Sequence, residues 1–394
     1  MRLLANRLGH SRVRDLVERI REDSEIRVNR VKAQPGSQPR SFREMVLQQT
    51  QGQQLPLPPD LAIEPAVAAD YIRAYFENVH PLFPFLERAG FEQRVDTERG
   101  EGATFANPPF SALYHAVLAL GCQYAREDRK LGFEHGKGED WRLFQFALSM
   151  LPDLLMPRDA SLVHVQAMTA MAIFALNAGT LQVGGTLIVE AAHMARLLSF
   201  HRSKEPNPER QAGHRVFWVI YLLERQVFFP VGRIATISDN DIGCPAPVTP
   251  ESQLDRFDTF LAVLRLGRLC SKTFHSLSAV NGAARPRKDY LSAIDVLSQD
   301  LRRWRDSVPV RFRPEMMKIT STTILPLSIL RMHFTYYALL TSLCRLVVHT
   351  VEMGGLQKSE RRRMESAKQR LMLASRAIIQ LTTFIELKPY TPMW

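Results

Sequence analysis

Apolar residues along this chain recur with helical spacing far more often than they alternate. From Pro65, which suits a first helical turn, Val67, Tyr71, Ile72, Tyr75, Phe76 and Val79 share one face of a predicted helix that Pro81 and Pro84 bring to an end. Similar periodicity predicts helices over about 110–126 and 139–151, with Gly132, Gly136 and Gly138 marking the loop between them. Asp159 or Ser161 is placed to cap the next helix. That segment is apolar nearly all round, which predicts a helix running through the centre of the domain. Helices over 184–200 and 209–229 follow, separated by Pro206 and Pro208, and later ones are expected at about 252–280, 288–306, 324–352 and 358–387. Val, Ile and Thr alternation between tight turns is missing, so few strands are expected. The pattern predicts an all-α, multi-helix domain over residues 63–394.

The first 62 residues read differently. Residues 1–32 have helix-forming composition, and Val13, Leu16, Val17 and Ile20 make one apolar face, so this stretch is a basic arm that is either helical or disordered. Residues 33–62 are rich in Gln, Pro, Gly and Ser and form a linker with too little apolar surface to order itself. The chain carries a net charge of +11 and has a pI near 9.7. Residues 1–43 hold eleven Lys/Arg against five Asp/Glu, so +6 of that excess lies there. Three readings of this arm stay open: a solvated basic tail, a nuclear address, or a phosphate-contacting segment in which Arg2, Arg7, Arg12 and Arg14 are the candidate contacts. In the last case it would supply salt-sensitive, largely unspecific attraction to DNA.

Several classes of chemistry find no support. Cys122, Cys244, Cys270 and Cys344 stand far apart, with no Cys-x-x-Cys ligand pair, so no zinc or other cofactor is expected in this chain. Four scattered thiols in a basic chain suit a reducing compartment, and no secretory leader is read at the N-terminus. The apolar stretches 162–176 and 324–348 are interrupted by His164 and Gln166, and by Arg331, His333 and Arg345; both read as buried helices, and no membrane partner is expected. Glycine spacing across Gly179–Thr186 loosely resembles a phosphate loop, but Gly185 stands where the phosphate-binding lysine belongs. Neither a Gly-x-Ser-x-Gly elbow nor a His-Glu-x-x-His helix occurs. An Asp-Asp-x-x-Asp motif of the terpene-cyclase type is also missing, so an enzyme is not expected. Asp239 and Asp241 are two apart in a loop, where carboxylates cap nearby amides more often than they form a catalytic pair.

One stretch carries a signature. Across His214–Pro247, a His214-Arg215-Val216-Phe217-Trp218 opening is followed by Glu224-Arg225, by Gly232-Arg233, and by Asp239, Asp241, Ile242, Pro245 and Pro247. In that order the elements resemble the fungal-specific transcription factor domain, the helical regulatory region of zinc binuclear-cluster transcription factors. The chain departs from the pattern with His for the first Arg, Glu224 for Asp, and Ile234 where proline is usual. Upstream, Tyr75-Phe76 and His80-Pro81-Leu82-Phe83-Pro84 resemble the turn that opens the domain. The helix around Ala191–His201 resembles the one before the signature, with Ser199 where glycine is common. Trp304, Pro309, His333, Tyr337 and Arg345 resemble later landmarks.

The resemblance implies a nuclear regulator of transcription, of a metabolic or secondary-metabolite pathway, acting through its helical domain. It also implies a homo- or heterodimer and a small-molecule effector as partners. A small-molecule-binding module without DNA reading is the alternative. Zinc is expected only if a six-cysteine module lies upstream; otherwise the chain is a regulator without its own reading head, and DNA is reached weakly or through a partner. Within the signature, Phe217, Trp218, Tyr221 and Leu222 are expected to pack in the core, and Gly232 to permit a turn. Arg215 or Arg225 is expected to pair with Asp239 or Asp241 as the following loop folds back.

Overall fold

A computed structural model describes residues 63–100, 107–125, 138–157, 159–202, 208–278, 286–315, 326–352 and 358–385. The chain divides into Met1–Gln53 and Gln54–Trp394, and every described helix belongs to the second unit. The basic arm, the linker and the candidate phosphate contacts Arg2, Arg7, Arg12 and Arg14 lie outside the described residues, as do Gly132, Gly136 and Pro206.

Twelve α-helices account for nearly all regular structure among the described residues. They are α1 (Pro65–Asn78), α2 (Arg88–Gly100), α3 (Pro108–Ala125), α4 (Glu139–Ser149), α5 (Leu151–Leu155), α6 (Leu162–Asn177) and α7 (Leu181–Leu197). They continue with α8 (Pro208–Phe228), α9 (Thr259–Thr273), α10 (Arg287–Ser307), α11 (Leu327–Glu352) and α12 (Lys358–Thr382). The strands are β1 (Gln253–Leu254) and β2 (Phe257–Asp258), antiparallel with Gln253 opposite Asp258.

Helix α6 is the centre of the N-terminal half, packed against α3, α4, α7 and α8. It is buried on almost every side, as its all-round apolar sequence requires. Its first turn is fixed by Ser161, whose backbone N–H donates to Nδ1 of His164 at 3.2 Å. Helix α3 meets α1 closely enough that a Cβ on Gly121 would lie 1.8 Å from the carbonyl oxygen of Tyr71. Only glycine lets these backbones approach that far. Gly184 and Gly185 sit inside α7, so the loosely phosphate-loop-like spacing is part of a helix and makes no loop.

The C-terminal half is organised by α11, which packs against α9, α10 and α12. Leu327–Val351 is long and apolar enough to cross a membrane by length and composition. Its buried polar residues, Arg331 and His333, are committed to other parts of the fold: His333 Nε2 lies 2.8 Å from the carbonyl of Phe312. Two of the late landmarks, Trp304 and Tyr337, are anchors of the same kind. Trp304 donates its indole N–H to Ala262 O at 2.9 Å and stacks on Tyr336, and the Glu315 N–H donates to the Tyr337 hydroxyl at 3.1 Å. Arg345 is exposed.

Sequence expectation and structure part company at several places, among them the helix expected over 139–151, which ends at Ser149 and is followed by the separate α5. Helix α2 replaces an unassigned stretch. The helix expected from 252 begins only at Thr259, after a short hairpin, because Asp258 accepts the Leu261 N–H at 2.8 Å and caps α9 there. The helix expected to reach residue 200 ends at Leu197, and Ser199 adopts the left-handed region with φ 59°.

Candidate functional site

Helix α8 carries the signature, and the segment after it, residues 229–247, returns along its face. The turn between them is closed by Gly232 at φ +67°, with the Arg233 N–H donating to Phe228 O at 3.0 Å. Arg233 itself is exposed. From there the returning strap is tied to the helix rung by rung. Glu224, fully buried, accepts the Thr236 N–H and hydroxyl on one oxygen and the Ile237 N–H, at 3.1 Å, on the other. The Arg225 guanidinium donates to Ile237 O and to Glu224 Oε2, and lies 3.6 Å from Asp239. The Tyr221 hydroxyl donates to Asp239 at 2.6 Å, and the Trp218 indole N–H donates to Pro245 O at 2.7 Å. As position along α8 falls from 225 to 218, the partner rises from 237 to 245, so strap and helix run antiparallel.

That geometry explains the spacing. Residues 218, 221 and 225 share one face of a helix, and each needs a polar tip on an apolar body to close a rung. Phe217, buried beside Trp218 with ring centroids 5.6 Å apart, packs against the His201 ring instead. Arg225 also stacks its cation 4.4 Å over the Tyr221 ring, and Arg268 lies 5.0 Å over Trp218. Burial pushes the Tyr221 hydroxyl well above its ordinary range, so it stays a neutral donor to Asp239.

The pairing of arginines with aspartates holds in one combination only. Arg225 meets Asp239, but Arg215 lies near the other end of α8 and pairs with Glu251, also donating to Val248 O at 3.3 Å. Asp241 is exposed and joins no ion pair among the described residues. The expected capping by Asp239 and Asp241 is likewise corrected. Ser238 accepts the Asn240 N–H at 3.3 Å and caps that short turn, because the Asp239 carboxylate is already occupied by Tyr221 and Arg225. Cys244 is reached by the strap as well, its N–H donating to His201 O at 3.0 Å.

The upstream motif joins the same assembly. His80 Nε2 bonds to Leu86 O at 2.8 Å and lies 3.8 Å from Glu251, the partner of Arg215. Burial lowers the His80 pKa, which favours a neutral ring. Pro81 O accepts the Ser252 hydroxyl at 2.8 Å, and Pro84 is buried. Sequence reasoning missed the residue that links this turn to α8. Arg331 of α11, fully buried, donates to Leu82 O at 2.6 Å and to Gln226 Oε1 at 2.8 Å, with its cation 4.2 Å over the Phe83 ring. Burial lowers its pKa to about 9, and no carboxylate joins it among the described residues.

The helix end before the signature carries a testable strain. Ser199 occupies the left-handed position after α7, where the Phe200 N–H donates back to Ala195 O at 3.0 Å. Ser199→Gly is therefore expected to raise stability by about 1 kcal/mol, read as a higher urea midpoint at unchanged slope.

Two apolar cavities flank the last turn of α8. One, about 150 Å³, is walled by Phe83, Ile173, Leu176, Asn177, Leu181, Leu223, Gln226, Val227, Pro230 and Val231. The other, about 200 Å³, is walled by parts of α8, α9 and α11, including Leu222, Gly267, Cys270, Phe334 and Ala338, with Ile378 of α12. No group of three or more His, Cys, Asp or Glu positioned for a metal occurs among the described residues. All four cysteines are buried free thiols, and burial pushes Cys244 and Cys270 up to about 12. Thiols held protonated in this way make poor nucleophiles and metal ligands.

Comparison with known proteins places these features. Residues 72–306 match the model of the fungal specific transcription factor domain. The chain is 27% identical over 308 residues to an ABC-transporter-regulating transcription factor of Aspergillus oryzae, covering 75% of this chain and 34% of that protein. It is 24% identical over 234 residues to the negative regulator of pleiotropic drug resistance STB5 of Candida glabrata, covering 55% and 23%. It is 27% identical over 243 residues to the fumonisin cluster-specific transcription factor FUM21 of Gibberella moniliformis, covering 57% and 35%. The aligned part amounts to about a third or less of each of these relatives.

Proposed function

The chain belongs to the fungal specific transcription factor domain family, and we propose from this membership that it acts in the nucleus as the regulatory region of a transcription regulator. The observation that carries the reading is the clamp between α8 and its strap. It lies wholly inside the matched region and uses the buried Glu224, Arg225 and Tyr221 to hold structure, leaving none of them open to a substrate. The relatives named for regulating an ABC transporter, pleiotropic drug resistance and a fumonisin cluster favour a metabolic or detoxification programme. In this reading the domain relays a signal from a small effector and supports dimerisation, and catalysis has no part in it.

The test is a fusion of the full chain to a heterologous DNA-binding module in a fungal host carrying the matching reporter. The account expects reporter output to rise or fall at least several-fold against the module alone. A fusion that enters the nucleus, is stable and leaves the reporter unchanged would contradict it.

Base reading belongs to another element or to a partner. The purified chain is expected to bind DNA weakly and without sequence preference through its basic arm, including Arg2, Arg7, Arg12 and Arg14. Affinity should fall by orders of magnitude between about 50 and 200 mM salt, and deletion of residues 1–43 should remove most of it. Zinc content should be near zero, because the cysteines are isolated and buried. Stoichiometric zinc, or tight binding to one site at physiological salt, would overturn this part.

A further inference from the structure

The cavity beside the last turn of α8 is lined by two amides, one of which holds a buried donor without a partner. Its walls are otherwise apolar, built from Ile173 and Leu176 of α6 and Leu223 and Val227 of α8, and its volume is about 150 Å³. A cavity of that size accommodates a single ring. The amides are Asn177 and Gln226. Gln226 holds its oxygen toward Arg331 at 2.8 Å. A guanidinium only donates, so the orientation of that amide is fixed and its NH₂ must point elsewhere. Gln226 Nε2 is buried and has no partner. Asn177, 6% exposed, lines the same cavity. A buried donor left in this state is costly, and an acceptor brought by a ligand would relieve it.

The charge of that acceptor follows from the walls. No ionisable side chain lines the cavity. The Arg331 guanidinium lies behind Phe83 and Gln226 and is engaged by Leu82 O, Gln226 Oε1 and the Phe83 ring. A carboxylate entering here would lose its hydration and gain no ion pair, whereas a carbonyl oxygen loses little. The rim carries Leu181 and Val231, 48% and 64% exposed, which present apolar surface to an incoming ligand. We infer that this cavity binds a small, uncharged apolar molecule bearing a carbonyl oxygen, with the ring against Ile173 and Leu223 and the oxygen on the amides of Gln226 and Asn177. Such a ligand touches Phe83 of the His80–Leu86 turn and the junction of α8 with its strap together, which are the two motifs that Arg331 joins. The inference deepens the effector role proposed above and rests on it for biological meaning, though not for binding.

Acetophenone and ethylbenzene have nearly the same shape and differ by the carbonyl, and benzoate adds the charge. Equilibrium binding of the three to the full chain is the test. The expected result is saturable acetophenone binding at least tenfold tighter than either of the others. Gln226→Glu keeps a partner for Arg331 and so protects the fold while removing the free NH₂; Asn177→Leu removes the second amide. Each variant, shown folded by its melting curve, is expected to lose the preference for the ketone. Equal affinity for ketone and hydrocarbon, tighter binding of benzoate, a ketone preference that survives both variants, or no saturable binding to the folded wild type would each overturn the inference. A reporter response in the fusion assay without ketone binding would sink this site alone. Ketone binding without any reporter response would sink the transcriptional reading and leave the site standing.

Discussion

Replacing Glu224 by Ala is expected to cost about 3–5 kcal/mol of folding stability, the range found when one member of a buried charged pair is removed. The carboxylate is fully buried and every one of its partners is a donor: the Thr236 N–H and hydroxyl, the Ile237 N–H and the Arg225 guanidinium. Alanine leaves two backbone amides without acceptors and Arg225 with only Ile237 O and the more distant Asp239. Glu224→Gln should also destabilise, by about 2 kcal/mol, because either orientation of the amide sets its NH₂ against donors. Total stabilities of domains lie at roughly 5–15 kcal/mol, so the Ala variant should be marginal at physiological temperature. Urea titration followed by circular dichroism reads both values. A Glu224→Ala chain within 1 kcal/mol of wild type, by the usual scatter of surface substitutions, would show that the carboxylate holds nothing in place.

A comparable loss, about 3–5 kcal/mol, is expected for Trp218→Ala. The indole is fully buried, packs edge-on to Phe217 and Tyr221, lies under the Arg268 cation, and donates to Pro245 O at the far end of the strap. Truncation therefore leaves a cavity and unties the last rung. Trp218→Phe separates the two contributions, since it retains most of the ring but loses the N–H; a loss of about 1 kcal/mol is expected for that bond, with the remainder due to volume. Unchanged melting of Trp218→Ala would place the indole at the surface and return it to consideration as a ligand contact.

Helical periodicity made most of the fold legible, and the exceptions have physical causes. Helix α2 escaped because only Phe91 and Val95 of its residues are buried apolar anchors, while Gly90 and many charges dilute the pattern. The surface pair Arg88–Glu92 accompanies its exposed side. The hairpin before α9 turns on Asp255 and Arg256, both at positive φ, where Asn-Gly or Asp-Gly would have announced the turn. At the clamp, the order of the motif pointed to a strap folding back, and the pairing of Arg225 with Asp239 follows from it. The partner of Arg215 was not legible, because Glu251 lies beyond the signature and is brought close by the turn at Thr249–Ser252. Arg331 was legible only as an interruption of an apolar run. Its partner Leu82 is 249 residues away, and no local pattern reports a contact of that range.

Amide hydrogen exchange of the Thr236 and Ile237 N–H groups tests the clamp most directly. Both lie in a strap outside regular secondary structure, where exchange would ordinarily be fast, yet both donate to a buried carboxylate. The account predicts that they exchange as slowly as the core of α8, and that Glu224→Gln accelerates them well ahead of α6. Exchange at the rate of the exposed residues 231–234, with α8 still protected, would contradict it.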